Sequence, residues 1–374
     1  MRVAYLAGVC VAHDAISNAI HSEVRWLKEA GHEVRLFTYR CDYGDIPHKQ
    51  VSSLWQVMSD PGFQSADIVV FHFGVYSGLF DLLMVTPRHA KRIVVFHNIT
   101  PKQFLPPSAA PLIERSFRQM SNIVFADHVV CVSDTNHDVL LSAGITVPWT
   151  KLPLAIRDDL VMPASKPSFV DGLPRIVFLG RFVQSKGPGE LLEAVRRVLD
   201  GNPDRRLQLD LIGNLDFSDQ AIIAQVRLQI DALHRMFPER VRVALKGSVA
   251  DSEKQALLAE ADIFALPTYH EGFCVPILEA LACGCRVVSY ENSNVPAVSG
   301  GLASLVPTGD VEALSRALDD ALRDIDSKDW ASTGYHAYAE RAKAHVAQFH
   351  PDAVRRSFLR FIERMSGAWR QTAA

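Results

Sequence analysis

The chain lacks an excess of charge of either sign: 39 basic residues stand against 42 acidic ones, a formal net charge of −3 over 374 residues. That field is too weak to recruit nucleic acid or an anionic membrane, so any bound anion must be held by a local constellation. Long apolar runs are also missing. None reaches the roughly 18–20 residues that a spanning helix needs, and the chain is not expected to cross a bilayer. The six cysteines, Cys10, Cys41, Cys131, Cys274, Cys283 and Cys285, show no CxxC pairing. The opening MRVAYLAGVCVAHDA reads as strand and loop, not as a secretory leader, so reduced thiols in the cytosol are the simplest expectation. No GxGxxG follows a strand; GPGELL at 187–192 lacks the third glycine, which argues against a dehydrogenase. The only D-x-D triplet, DID at 324–326, sits in a polar helical stretch and reads as solvated surface.

What is present is apolar and evenly spread. The chain exceeds the roughly 250–300 residues at which a single core stops growing, so two domains are expected. Hydrophobic residues at 48% and charged residues at 22% place it among ordinary globular chains. Short apolar runs bounded by turn residues recur: RVAYLAG, EVRLFTY, DIVVFHFG, RIVVFHN and HVVCVSD. Between the first two lies an amphipathic helix pattern, AISNAIHSEVRWLKEAGH, which stops at Gly31. Apolar strands without polar alternation, interleaved with helices, indicate a parallel sheet covered on both faces.

The pattern pauses from Leu154 to Pro174, where three prolines and no periodicity read as a linker. A second series follows: RIVFLGR, LQLDLIGN, RVRVALKG, DIFALPT, RVVSYEN and ASLVP. The expected fold class is α/β, with two Rossmann-like doubly wound domains spanning residues 1–160 and 174–350 and facing across a cleft. Ligands of such sheets sit at the carboxyl ends of the strands. The closing segment, 351–374, reads as a basic amphipathic helix with Val354, Phe358, Phe361 and Ile362 on one face. Packing back toward the first domain is the expected role of that face, and a membrane-surface role is the competing one.

The stretch TYHEGFCVPILEALACG places Glu271 and Glu279 on either side of a helix start. Pro276 suits the first helical turn and Gly284 the stop, so a helix is predicted from about Val275 to Cys283. Gly272 permits close backbone approach, and the free N–H groups of Phe273, Cys274 and Val275 offer an anion site. A helix N-terminus contributes only about 0.3–2 kcal/mol toward holding an anion, so a diphosphate needs further cations. Arg181 and Lys186 in LGRFVQSKG supply a bidentate fork and a compact charge beside a strand end. Carboxylates near phosphate make sense if they accept from hydroxyls, Glu279 from a ribose diol and Glu271 from a sugar diol. Cys274, Cys283 and Cys285 lack a histidine at ligand spacing and are read as packing residues, so no metal site is expected.

Taken together, EGFCVPILEALACGCRVV, LGRFVQSKG, LKGSVADSEKQALLAEADIFALPTYHEGF and GHEVRLFT resemble the retaining glycosyltransferases of the large family numbered four, which have the GT-B fold. The resemblance covers nearly the whole chain and is strongest from Arg175 to Asp310. It implies that Glu271 binds hydroxyls of the transferred sugar, with the backbone of Gly272, Phe273 and Cys274 near that sugar and the diphosphate. It implies Glu279 at the ribose, Arg181 and Lys186 at the diphosphate, and Gly247, Ser248 and Val249 beside the base. His97 matches the histidine these enzymes place near sugar and acceptor. The implied chemistry is transfer with retention and without a protein-bound metal or other cofactor. The donor is a nucleotide diphosphate sugar, and the acceptor a hydroxyl of a glycan or lipid-linked glycan.

Departures from the family pattern bear on detail. A glycine pair after the first strand is replaced by Asp14 and Ala15, so Asp14 is expected at an acceptor hydroxyl while Gly8 keeps a flexible point. Cys274 stands where a glycine is usual, and Ala297 where a glutamate is usual. DAISN with HNITP resembles the subset that builds bacterial surface polysaccharides. Rival readings are a nucleotide-sugar epimerase of the same fold and a non-catalytic binding module of a polysaccharide assembly complex. A lipid-linked acceptor would bring a peripheral membrane contact through Phe104 and Leu105, against which stands a buried loop. The expected location is cytoplasmic, or peripheral at the inner face of the membrane.

Overall fold

The computed structural model describes residues 1–12 and 14–372, with side chains as far as residue 367. Its chain divides into two compact units.

The first unit comprises residues 1–102, 107–155 and 351–374. Seven parallel strands form its sheet: β1 (Arg2–Leu6), β2 (Glu33–Thr38), β3 (His48–Gln50), β4 (Ile68–Phe73), β5 (Lys91–Phe96), β6 (His128–Cys131) and β7 (Trp149–Lys151). Their order is β3-β2-β1-β4-β5-β6-β7. Every residue of β4 is buried, which is why its sequence shows no polar alternation. The order reverses between β1 and β4, the position where open parallel sheets leave a crevice at their carboxyl ends. The crossover α1 (Ala15–Glu29) opens at Asp14, whose Oδ2 accepts from the Ser17 backbone N–H at 2.8 Å and hydroxyl at 2.7 Å.

The C-terminal helix (Pro351–Thr372) is also part of this unit. It buries Val354, Phe358, Phe361 and Ile362, with the Phe358 ring 6.1 Å from Trp26 and Arg355 paired to Glu29 at 2.9 Å. Burying such side chains is worth about 1.5–3 kcal/mol each. The apolar face predicted for this helix is therefore spent on the unit's own core, not offered to a bilayer. Ala373 and Ala374 lie outside the described residues.

The second unit comprises residues 103–106 and 156–350. Six parallel strands form its sheet: β8 (Arg175–Leu179), β9 (Leu207–Ile212), β10 (Val241–Gly247), β11 (Ile263–Leu266), β12 (Arg286–Glu291) and β13 (Ala303–Pro307). Their order is β10-β9-β8-β11-β12-β13, again reversing beside the first strand of the series. The proline-rich stretch predicted as a linker is anchored in this unit. Lys166 is buried, and its Nζ donates to Ala259 O at 2.9 Å and Cys283 O at 2.7 Å. A long aliphatic stem lets one ammonium satisfy two carbonyls where the periodicity of the segment says nothing. Phe104 is half-buried, its ring 5.7 Å from Tyr269 and 6.3 Å from His270. No helix among the described residues is long and apolar enough to cross a membrane.

Candidate active site

In the second unit, β8 ends at Leu179 and a short turn from Gly180 carries Arg181 and Lys186 to α2 (Pro188–Gly201). This turn is stitched to the segment after β11. The Tyr269 N–H donates to Ser185 O at 2.8 Å, and the Thr268 hydroxyl donates to the same carbonyl at 3.1 Å. Gly187 has φ +62°, and a Cβ there would strike the Pro267 carbonyl oxygen. This close approach brings together two residues 85 positions apart: Lys186 Nζ lies 2.5 Å from Glu271 Oε1. Both side chains are largely buried, at 18% and 11% exposure.

The helix predicted after Glu271 is α4 (Val275–Ala282). Its N-cap is Cys274, held at φ 78° in the left-handed region that favours glycine. Cys274 thus does the conformational work of the glycine it replaces. Burial and then the Glu271 carboxylate, to which its thiol donates, push the thiol well above its ordinary value and keep it protonated. No side chain caps α4; Pro276 has no N–H and the Ile277 N–H donates to Cys274 O at 3.3 Å, which leaves the Val275 N–H to a ligand. Asn294 Nδ2 donates to Phe273 O at 2.9 Å and fixes the loop ahead of the helix.

Glu279 is buried one turn along α4, and Lys254 Nζ, on α3 (Asp251–Glu260), lies 2.9 Å from its Oε1. Lys254 escapes sequence reasoning, because nothing in its spacing links it to a glutamate 25 residues away. Gly247, at φ 66°, Ser248 and Val249 form the turn that leads from β10 toward α3. Gly247 is buried, Ser248 exposed and Val249 half-buried. Arg181 is exposed and forms no ion pair among the described residues, so its guanidinium is free for an anion.

A second missed residue is Glu190, in the first turn of α2. Its carboxylate accepts from the Tyr269 hydroxyl at 2.5 Å and the Tyr290 hydroxyl at 2.5 Å. Burial first, and then this carboxylate, raise both phenols. The clamp ties the residue two before Glu271 to the helix that follows Lys186. Glu190→Ala is expected to lower unfolding stability by about 2–3 kcal/mol, because two hydroxyls lose a charged acceptor, and Tyr290→Phe by about half as much. Denaturant unfolding of both variants checks the ratio.

In the first unit, the strand ends gather Gly8, Gly74 and His97. A Cβ on Gly8 would approach Ser77 Oγ to 3.1 Å, and one on Gly74 would approach His97 Cβ to 3.3 Å. His97 follows β5 and is half-buried. Burial, reinforced by the neighbouring His72, holds its imidazole well below the ordinary value and therefore neutral. Asp14, expected at an acceptor hydroxyl, commits Oδ2 to the α1 cap. The DID carboxylates are paired: Asp324 lies 2.5 Å from Arg286, and Asp326 is bound by Arg205. Cys283 and Cys285 are buried, with Cys285 Sγ 3.1 Å from Leu258 O. Among the described residues no group of three His, Cys, Asp or Glu side chains could hold a metal ion.

Residues 173–324, which include both lysine–glutamate pairs, match the family described as glycosyl transferases group 1. This segment is a group 1 glycosyl transferase domain. A D-inositol 3-phosphate glycosyltransferase of Corynebacterium jeikeium is 30% identical over 205 residues, covering 52% of this chain and 44% of the relative. The chain thus spans less than half the length of that relative. A glycosyltransferase of amylovoran biosynthesis from Erwinia amylovora is 28% identical over 272 residues, 68% of this chain and 61% of the relative. The structure of an α,α-trehalose 6-phosphate synthase from Burkholderia multivorans matches with a TM-score of 0.73 over 100% of this chain and 98% of its own, at 15% identity. At that identity the likeness is one of fold, the two-domain GT-B architecture. The matched segment therefore lies within the unit that carries Arg181, Lys186, Glu271 and Glu279.

Proposed function

We propose that this chain is a retaining, metal-independent glycosyltransferase that moves a hexose, such as mannose or glucose, from a nucleotide diphosphate sugar to a hydroxyl of a glycan or lipid-linked glycan in bacterial surface polysaccharide synthesis. The observation that carries this reading is the Lys186–Glu271 pair, 2.5 Å apart, at the uncapped start of the helix that also bears Glu279. One cation there can bridge the sugar and diphosphate subsites.

In this reading Glu279, held by Lys254, accepts from the ribose diol, and the turn at Gly247, Ser248 and Val249 lies against the base. Arg181, Lys186 and the Val275 N–H at the start of α4 receive the diphosphate, and Glu271 accepts from the sugar hydroxyls. The bond from the anomeric carbon to the phosphate oxygen breaks, and the acceptor oxygen bonds to that carbon on the same face. The departing phosphate oxygen takes the acceptor proton. Arg181 and Lys186 stabilise the charge that develops on the diphosphate. In the first unit, His97 and Asp14 contact the acceptor hydroxyl, and Gly8 leaves room for the bound substrates.

A thermal-shift and turnover screen over uridine, guanosine and adenosine diphosphate sugars tests the donor half. One base class is expected to raise the melting temperature and to support transfer that persists in EDTA. Product of inverted anomeric configuration would overturn retention, and activity lost to EDTA and restored by manganese would overturn metal independence.

A further inference from the structure

His72 lies within β4 and its side chain is 1% exposed, with both ring nitrogens engaged. Nε2 is 3.1 Å from Glu23 Oε2, and Nδ1 is 2.9 Å from His97 Nε2. The two ring planes are 21° apart and the centroids 5.1 Å apart, so the rings meet edge to edge in nearly one plane. Glu23, on α1, also accepts from the Tyr5 hydroxyl at 3.1 Å. A carboxylate that already accepts one hydroxyl can only accept again, so the nitrogen facing it must carry the proton. A neutral imidazole has one N–H. With it placed on Nε2, His72 Nδ1 is an acceptor, and the N–H between the two rings belongs to His97 Nε2. His97 Nδ1 then carries a lone pair, and it has no partner among the described residues.

We infer that Glu23 and His72 are positioning residues that lock His97 in its Nε2–H tautomer, so that His97 presents Nδ1 as a hydrogen-bond acceptor to a substrate hydroxyl. The relay serves recognition and not proton donation: a neutral ring with a lone pair outward can receive a hydroxyl proton in a hydrogen bond but cannot protonate a leaving group. Identifying the bound group as a sugar or glycan hydroxyl rests on the glycosyltransferase reading. The tautomer itself does not.

The test is long-range ¹H–¹⁵N NMR of the full-length protein at about pH 8, above the ordinary imidazole value of about 6.5, with His97 assigned by comparison with H97Q. Pyrrole-like Nε2 and pyridine-like Nδ1 shifts for His97 are expected in the unsubstituted protein without any substrate. An Nδ1–H tautomer there would overturn the relay even in an active enzyme. In E23Q the amide can donate to His72 as well as accept from it, so the His97 ring is expected to populate both tautomers. Transfer should then fall about tenfold, the effect of one hydrogen bond to a substrate, while nucleoside diphosphate affinity is unchanged. An unaltered tautomer in E23Q would overturn the role of Glu23. Because the unsubstituted spectrum decides the tautomer, the inference stays open to refutation if E23Q does not fold. Absence of glycosyl transfer with the expected spectrum would refute the function and not the relay.

Discussion

Glu271→Ala is expected to lower glycosyl transfer by about 10²–10³-fold while leaving the affinity for the nucleoside diphosphate within a few-fold. Hydrogen bonds from sugar hydroxyls to a charged acceptor contribute about 1.5–3 kcal/mol each, so losing two of them at the lower end, about 3–4 kcal/mol, accounts for this range. The diphosphate subsite stays furnished, because Arg181, Lys186 and the start of α4 remain. Lys186 loses its partner, however, and breaking a buried pair costs about 3–5 kcal/mol when the remaining charge is sealed from water. At 18% exposure Lys186 is not fully sealed, so a smaller loss of about 1–2 kcal/mol is expected, read from denaturant unfolding. Separate titrations of sugar nucleotide and bare nucleotide distinguish the two subsites. Transfer that survives the substitution undiminished would remove Glu271 from the sugar, whereas undiminished cellular function of a variant without transfer would favour a non-catalytic binding module.

The second large effect is at Gly187. Its φ of +62° disfavours any side chain, and an added Cβ meets the Pro267 carbonyl oxygen, with Pro267 Cγ at 3.0 Å. Left-handed strain costs about 1–2 kcal/mol and overpacking about 1–3 kcal/mol, so Gly187→Ala should destabilise by about 2–4 kcal/mol. The displaced backbone is the one that leads to Glu271, and donor affinity should fall together with the melting temperature. Gly201→Ala is the control, since a Cβ there meets nothing within 4 Å. A Gly187→Ala variant as stable as this control would show that the Pro267 segment yields freely.

The sheet architecture was legible in the sequence because its strands are buried on both faces and read as unbroken apolar runs. The start of α4 was legible from Pro276, and its end from Gly284. Contacts were not. Lys186 and Glu271 were each singled out, but their salt link is made by β8 and β11 lying side by side, and pairing of parallel strands leaves no local signature. Lys254 and Glu190 were missed because each lies on a helix and meets its partner on another element through tertiary packing alone. His72 was hidden in DIVVFHFG, where a polar residue inside a fully apolar strand carries no period and only the neighbouring α1 reveals its partner. Cys274 looked like an anomaly beside its family; the backbone shows it adopting the conformation that the usual glycine would adopt.

The C-terminal helix has a consequence for how the molecule is made. Synthesis runs through residues 1–102 and 107–155 of the first unit, with all seven strands of its sheet, then through the whole of residues 156–350, before the segment from Pro351 emerges. Domains ordinarily fold in order as they leave the ribosome, amino end first. Here the later unit has all its strands while the earlier one still waits for Phe358 to reach Trp26. During that interval the apolar face around Trp26, Val95 and Val130 stands without Phe358, and a ribosome stalled near residue 350 would hold a finished second unit and an unfinished first one that is prone to aggregate.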